Sequence, residues 1–137
     1  MDFNNGKDSI SSSGELCCPP LPNIKEEDKK RVYYYSIFPN MLLSLHPEYV
    51  MYHTVWPISI NRSKVTCSWL FTEEVINSND HKVQDAVDFW DMTNKQDWYI
   101  SELSQLGIQS KKYSPAPYSG QESLLAAFDK HYKLTIK

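Results

Sequence analysis

The sequence has little cysteine and glycine, no strong charge of either sign and no long apolar run. Three cysteines and four glycines occur among its 137 residues. Cys17 and Cys18 are adjacent, so a bridge between them would be strained, and three cysteines make no disulfide framework. Cys67 lies in an apolar strand pattern, where we expect a reduced, buried thiol. A disulfide-stabilised secreted domain is therefore not indicated.

The remaining absences concern partners and location. A net charge of -3 gives no electrostatic reason to expect nucleic acid or an anionic membrane as a partner. No run of about 18 apolar residues exists, and the opening MDFNNGKDSI lacks the basic and apolar regions of a signal peptide. We therefore expect a cytoplasmic protein. At 41% hydrophobic residues, the chain has enough apolar surface for one core.

Strand-forming segments follow a polar beginning. Residues 1–23 are polar and rich in proline near their end, which indicates a short extended piece followed by a loop, and the mixed charges of residues 25–31 are typical of a solvated helical turn or connector. The next segments are aromatic and β-branched and are separated by short turns, which predicts an antiparallel meander. These predicted strands are Val32 to Phe38, Met41 to Leu45, Tyr49 to Trp56 and Lys64 to Phe71, with a turn region from Pro57 to Ser63. In the last of them polar residues alternate with Val65, Cys67, Trp69 and Phe71, which predicts that these four form a core face.

Helical patterns fill the second half. A long helix is predicted from about Lys82 to Leu106, and Gly107 stands where a helix C-cap favours glycine. A final helix is predicted from about Gln121 to Leu134, with Ser119 and Glu122 as a capping box. Strands followed by helices predict an α+β fold, a curved antiparallel sheet wrapping a long helix.

One row of the long helix turns from apolar to polar. If the whole row faces the interior, Asp97 is a buried anion that needs a cation, a metal or several donors to offset its desolvation. The alternative is that the helix rolls and the polar half meets water. The row steps by four and three residues and consists of Val83, Val87, Trp90, Asn94, Asp97, Ser101 and Gln105.

Three strings of the sequence resemble one enzyme family. They are FWDMTNKQDWYISELSQLGI, YSPAPYS and YYYSIFPNMLLSLHPEYV, and the most specific pattern is Asp97, Glu102, Gln105 and Gly107. The chain is similar to the C-terminal catalytic region of the alpha (large) subunit of Rieske-type non-haem iron aromatic-ring-hydroxylating oxygenases. That family also contains oxygenases acting on choline, carnitine and glycine betaine. Residues 1–137 are accordingly interpreted as the C-terminal part of the oxygenase catalytic domain, without the Rieske domain.

The resemblance implies a chemistry and a set of partners. It implies a helix-grip fold, a mononuclear Fe(II) held by two histidines and a carboxylate that Asp97 matches, and a 2Fe-2S cluster in full-length members. The three remaining positions on such an iron can take dioxygen and substrate. The implied activity is mono- or dioxygenation: hydroxylation or oxidative demethylation of a small organic substrate, with NAD(P)H-derived electrons delivered by a reductase. A homotrimer or another oligomer is also implied.

Three polar residues near Asp97 in the helix either interact with it or are simply exposed to solvent. Asn94 and Gln105 can orient Asp97 through hydrogen bonds or can simply be solvated, and Glu102 can be a partner of the same carboxylate or an exposed helix residue.

The other iron ligands are missing from recognisable motifs. None of the four histidines lies in a D-x3-H-x4-H segment, and His81 stands about 24 Å before Asp97 at helical rise. The three cysteines fit neither the C-x-H nor the C-x2-H pair of a Rieske cluster. We therefore expect His46, His53, His81 and His131 to be structural or surface residues. Two hypotheses remain: a catalytic portion of an oxygenase, or a truncated, non-catalytic fragment or ligand-binding helix-grip domain without a working iron site.

Overall fold

Four strands form one antiparallel sheet in the order β1-β2-β3-β4, which confirms the predicted meander. The structure is a computed structural model and describes residues 1–3 and 7–136. Aromatic and β-branched residues supply the strands, and turns at prolines and polar residues separate them. The strands are β1 (Tyr33–Ile37), β2 (Met41–Leu45), β3 (Val50–Ser59) and β4 (Arg62–Leu70).

Three helices follow the sheet, so the predicted α+β class is confirmed. They are α1 (Glu73–Asn77), α2 (Val83–Ile108) and α3 (Ser123–Thr135). The sequence does not predict the short α1. Glu73 and Glu74 lie in its first turn, where negative side chains interact favourably with the helix dipole and stabilise the helix. The chain divides into two compact units, one covering Met1–Lys95 and the other beginning at Gln96. None of the described helices is long and apolar enough to cross a membrane.

Two predicted boundaries are wrong. Pro57 was assigned to a turn, yet β3 continues to Ser59 with a register irregularity between these two residues. β2 begins at Met41, opposite Thr54, so Pro57 lies where β3 has β4 alone as a neighbour in the sheet and a missing N–H is tolerated. Gly107 was assigned to the C-cap, yet it is helical, and α2 ends at Ile108. A glycine costs little in a fraying last turn.

The predicted capping box is present in part. The backbone N–H of Ser119 donates to Oε2 of Glu122 at 2.6 Å, as the glutamate of such a box requires. Glu122 is itself the N-cap of α3, however, so the contact lies in the turn before the helix. The contact between Ser119 and Glu122 therefore stabilises the turn before α3 and does not cap the first turn of the helix.

The core of the first unit lies where the amino-terminal segment meets the sheet and the start of α2. Met51 and Ala86 are buried there, 1% and 0% exposed. The predicted core face of β4 is confirmed, because Cys67, Trp69 and Phe71 pack against this cluster. The buried residues of the cluster are Cys17, Cys18, Tyr49, Met51, Val75 and Ala86.

Candidate functional site

A histidine, a cysteine and an asparagine meet where α2 lies on the sheet. His53 of β3 and Cys67 of β4 are opposite each other in the antiparallel register. Nε2 of His53 lies 3.0 Å from Oδ1 of Asn94, which is 6% exposed. Because an amide oxygen only accepts, this contact assigns the proton of a neutral His53 to Nε2. The sheet thus fixes the orientation of a polar side chain on the interior face of the helix.

Cys67 takes part in the same cluster as a thiol. Burial raises the pKa of Cys67, and a hydrogen bond with Asn94 opposes that effect. Cys67 is half-buried and free of any disulfide. Cys67 packs against the core cluster as a free thiol, but it is half-buried where the sequence predicts a buried residue.

The polar half of the predicted helix row is exposed. Asn94 is buried, whereas Asp97, Glu102 and Gln105 are exposed and belong to the second unit. Within the part of the chain that the structure describes, no hydrogen bond or ion pair joins Asp97 to either Asn94 or Gln105. The alternative in which the whole row faces the interior is therefore wrong for this chain, since the interior face ends with Asn94. The role of Asp97 as an iron carboxylate stays a prediction.

A second buried polar group occupies the β2–β3 connection. His46 is 2% exposed, its ring stacks on Tyr49 with centroids 4.1 Å apart, and the edge of Trp90 meets it at 5.7 Å. Burial lowers the pKa of His46 to about 4. Neither ring nitrogen has a hydrogen-bond partner among the described residues. His46 is thus the structural histidine that the sequence predicted.

Glu48 is the buried carboxyl beside it, and sequence reasoning missed it. Ser9 donates its hydroxyl hydrogen to Oε1 of Glu48, while Oε2 lacks a partner among the described residues. Burial raises the pKa of Glu48, and the bond from Ser9 opposes this. No local signal in the sequence marked Glu48, because short connections between strands normally lie at the surface; its partner Ser9 is 39 residues away in the sequence.

These residues do not assemble the iron site that the resemblance implies. Among residues 1–3 and 7–136, no group of three or more His, Cys, Asp or Glu side chains is placed to hold one metal ion. His53 is engaged with Asn94, and burial keeps His46 neutral but without access to an ion. Asp97 can offer a single carboxylate, which is one of the three ligands that a facial triad needs.

The fold and the buried polar cluster define a class before any comparison. An antiparallel sheet followed by a long helix, with polar side chains where the two meet, is the architecture of a helix-grip-like α+β domain. The chain belongs to the family of ring-hydroxylating alpha subunits (catalytic domain), whose family model matches residues 1–137. The resemblance seen in the sequence is therefore confirmed.

Curated relatives cover part of this chain. It is 39% identical over 72 residues to the glycine betaine monooxygenase oxygenase subunit of Pseudomonas aeruginosa strain UCBPP-PA14, which is 53% of this chain and 17% of the relative. The subunit from strain PAO1 of the same species matches to the same extent. The subunit of Chromohalobacter salexigens is 30% identical over 81 residues, 59% of this chain and 18% of the relative. The chain thus spans less than a fifth of the length of these relatives.

Proposed function

We propose that this chain is part of the catalytic domain of a Rieske non-haem iron oxygenase, and that the whole enzyme hydroxylates or oxidatively demethylates a small organic substrate with dioxygen. The observation that carries this proposal is the family match over residues 1–137. The α+β fold with a long helix after an antiparallel sheet supports it.

The cofactors and partners follow from family membership at a coarse level. The family implies non-haem iron and a Rieske cluster in the full-length enzyme, with a reductase partner and an oligomeric assembly. We propose in addition that the iron is mononuclear Fe(II), that electrons come from NAD(P)H, and that the assembly is a homotrimer. A cytoplasmic location is part of the same proposal.

A quaternary amine is the substrate class that we propose. Three relatives are oxygenase subunits of glycine betaine monooxygenases. Removal of a methyl group from such an amine by a monooxygenase begins with hydroxylation of one methyl carbon, so oxidative demethylation and hydroxylation are one chemistry here. Bound iron would supply the activation of dioxygen. The residues of this chain contribute the carboxylate of Asp97 and the face of α2 that carries Asn94.

Two hydrogen bonds order the part of α2 that precedes Asp97. His53 holds Asn94 through the 3.0 Å contact between Nε2 and Oδ1, and the hydroxyl of Thr93 donates to the carbonyl of Phe89 at 3.0 Å. Asp97 follows Asn94 by three residues in α2. In the proposed function, this contact fixes the rotation of α2 about its axis at Asn94.

A non-catalytic role is the second candidate, and two observations favour it. Asp97 is exposed, and no three-ligand metal group exists among the described residues. A truncated fragment, or a helix-grip domain that binds a ligand without iron, would have both properties. The polar cluster between the sheet and α2 would then serve binding alone.

Replacement of Asp97 tests the first candidate in the complete oxygenase that contains this sequence. Asp97→Ala should remove iron and betaine-dependent oxygen consumption while leaving the circular dichroism spectrum and the melting temperature unchanged, because a lost iron ligand is a local chemical defect. Glu102→Ala, on the same helix and also exposed, is the matched control and should retain iron. Equal iron content in both variants would support the non-catalytic candidate, and Asp97→Ala would then cost under about 0.5 kcal/mol of stability.

A further inference from the structure

The β3–β4 hairpin projects beyond the rest of the sheet as a two-stranded arm, defined here as residues 56–64. β2 begins at Met41, opposite Thr54, so the arm has no strand beside its own two. Its tip is the two-residue loop between Ser59 and Arg62. Every residue of the arm is exposed. The arm therefore lies outside the core of its own chain and is free to make a contact elsewhere.

The arm carries large apolar side chains and positive charge. Trp56 and Ile58 are more than half exposed, and Ile60 at the tip is 97% exposed. Arg62 and Lys64 are exposed as well, and neither forms an ion pair within the part of the chain that the structure describes. β3 and β4 contain no acidic residue. Exposed apolar residues grouped in this way are typical of a binding surface.

A cavity of complementary character lies beside α1 and is called the α1 cavity below. It measures about 550 Å³. Pro19, Pro20 and Val75 supply apolar lining, and Glu73 and Glu74 supply carboxylates. Among the described residues that line the cavity there is no lysine or arginine, and neither glutamate has an ion-pair partner there. The cavity thus offers apolar contact together with negative charge.

The arm and the α1 cavity lie at opposite ends of the same strand. β4 begins at Arg62, beside the tip of the arm, and ends at Leu70. Its nine residues span about 26 Å at 3.3 Å per residue. α1 begins three residues further on, at Glu73. Because this distance separates the two surfaces, an arm meets the α1 cavity of another copy and not that of its own chain.

We propose that the arm of one copy docks in the α1 cavity of a second copy. Ile60 packs against the prolines of the cavity, and Arg62 and Lys64 pair with the glutamates of α1. The contact joins two different surfaces, so it repeats from copy to copy and closes a ring when the rotation between copies permits. This inference rests on the oligomer in the proposed function and names the surfaces that join its subunits.

An anionic membrane is the other surface that an apolar, basic arm could meet, and the charges favour it less. Recruitment to such a surface by charge takes a cluster of about four to eight basic residues. The arm has two, Arg62 and Lys64. A second copy, by contrast, offers carboxylates at the edge of an apolar cavity, which matches both properties of the arm.

Sedimentation velocity of the 137-residue chain at micromolar concentrations tests the proposal. The parent chain should self-associate. The arm variant, Arg62→Glu with Lys64→Glu, and the cavity variant, Glu73→Lys with Glu74→Lys, should each associate more weakly on the order of tenfold or more, because like charges then face each other. An equal mixture of the two variants should associate as the parent does, since acidic arms then meet basic cavities and basic arms meet acidic ones.

Two further variants separate charge from apolar contact. Lys111→Glu with Lys112→Glu makes the same change of charge at exposed positions outside the arm, and should leave the association unchanged. Ile60→Ser should weaken it on the order of tenfold or more, because the apolar side chain no longer becomes buried in the cavity. Circular dichroism identifies a charge-reversed variant that fails to fold, and the corresponding glutamine substitutions then take its place.

Three results would overturn the proposal. In the first, the parent associates and both charge variants associate equally well, which leaves the oligomer standing with its contact elsewhere. In the second, the mixture of variants does not associate. In the third, the parent is monomeric and co-sediments with vesicles of phosphatidylserine and phosphatidylcholine, which assigns the arm to a membrane. Iron content and oxygen consumption of the complete oxygenase are separate measurements, so a failure of this contact is distinguishable from a failure of the proposed function.

Discussion

Nε2 of His53 lies 3.0 Å from Oδ1 of Asn94, so residues 41 positions apart join the sheet to the long helix through a buried polar contact. Asn94 is buried and His53 half-buried, so neither group can exchange this partner freely for water. The contact therefore specifies one rotation of α2 on the sheet, because a turned helix would leave both groups buried without a partner.

Removal of the asparagine side chain should destabilise the first unit. We expect Asn94→Ala to lower the free energy of unfolding by about 1–3 kcal/mol, the usual cost of leaving a buried polar partner unsatisfied. Urea denaturation, followed by tryptophan fluorescence, measures the change. Gln105→Ala, at an exposed position of the same helix, should change stability by less than about 0.5 kcal/mol. Equal effects of the two substitutions would contradict the role given to the contact.

His46 should make the chain sensitive to mild acid. Its folded pKa is about 4, below the ordinary value of 6.5, so the unfolded chain binds more protons between these two values. The free energy of unfolding should therefore fall as pH is lowered from 6.5 towards 4, by roughly 3 kcal/mol, and the full contribution should be present above 6.5.

The variant His46→Phe isolates that effect, because phenylalanine keeps an aromatic ring between Tyr49 and Trp90 but has no proton to gain. Urea midpoints measured at several pH values should fall less steeply between pH 6.5 and 4 than those of the parent. His131→Gln, at an exposed position in α3, is the matched control. An unchanged slope in His46→Phe would place the acid sensitivity elsewhere.

Glu48 should lower the free energy of unfolding as pH rises, which is the opposite of the effect of His46. Its folded pKa is raised by burial, so its contribution to stability is present below the ordinary value of 4.5 and is lost as pH rises through the folded pKa. We therefore expect Glu48→Gln to stabilise the chain at pH 7, since the amide oxygen still accepts from Ser9 and no buried charge forms. The advantage, measured by thermal unfolding, should shrink as pH falls through the folded pKa of Glu48 and should be absent below 4.5. A Gln variant that melts lower than the parent at pH 7 would contradict this account.

The chain by itself should be a poor iron protein. One exposed carboxylate without placed histidines is a weak site for Fe(II), so dialysed chain should retain far less than one iron per polypeptide and show no oxygenase turnover. Metal analysis by plasma mass spectrometry measures retention. Stoichiometric iron, with oxygen uptake in the presence of substrate, would refute this expectation.

Much of the fold could be predicted because its signals are local. Alternation along β4 placed Cys67, Trp69 and Phe71 on the core face, and that face is confirmed. Helical spacing identified α2 to within a few residues. The error at Pro57 arose because a proline is tolerated or not according to its neighbours in the sheet, and the sequence does not say that β2 begins opposite Thr54. The error at Gly107 arose because a glycine costs little in the last turn of a helix.

The sequence by itself determined the family, through a pattern around Asp97, and the order of strands and helices, through periodicity. Only the tertiary structure decided which polar residues of α2 are buried. Spacing placed Asn94 and Asp97 on one face equally, yet Asn94 meets His53 and Asp97 meets solvent. It also decided that Cys17, Cys18, His46 and Glu48 are buried, four residues separated by up to 31 positions. Burial depends on which distant segments pack together, and a local pattern carries no information about that.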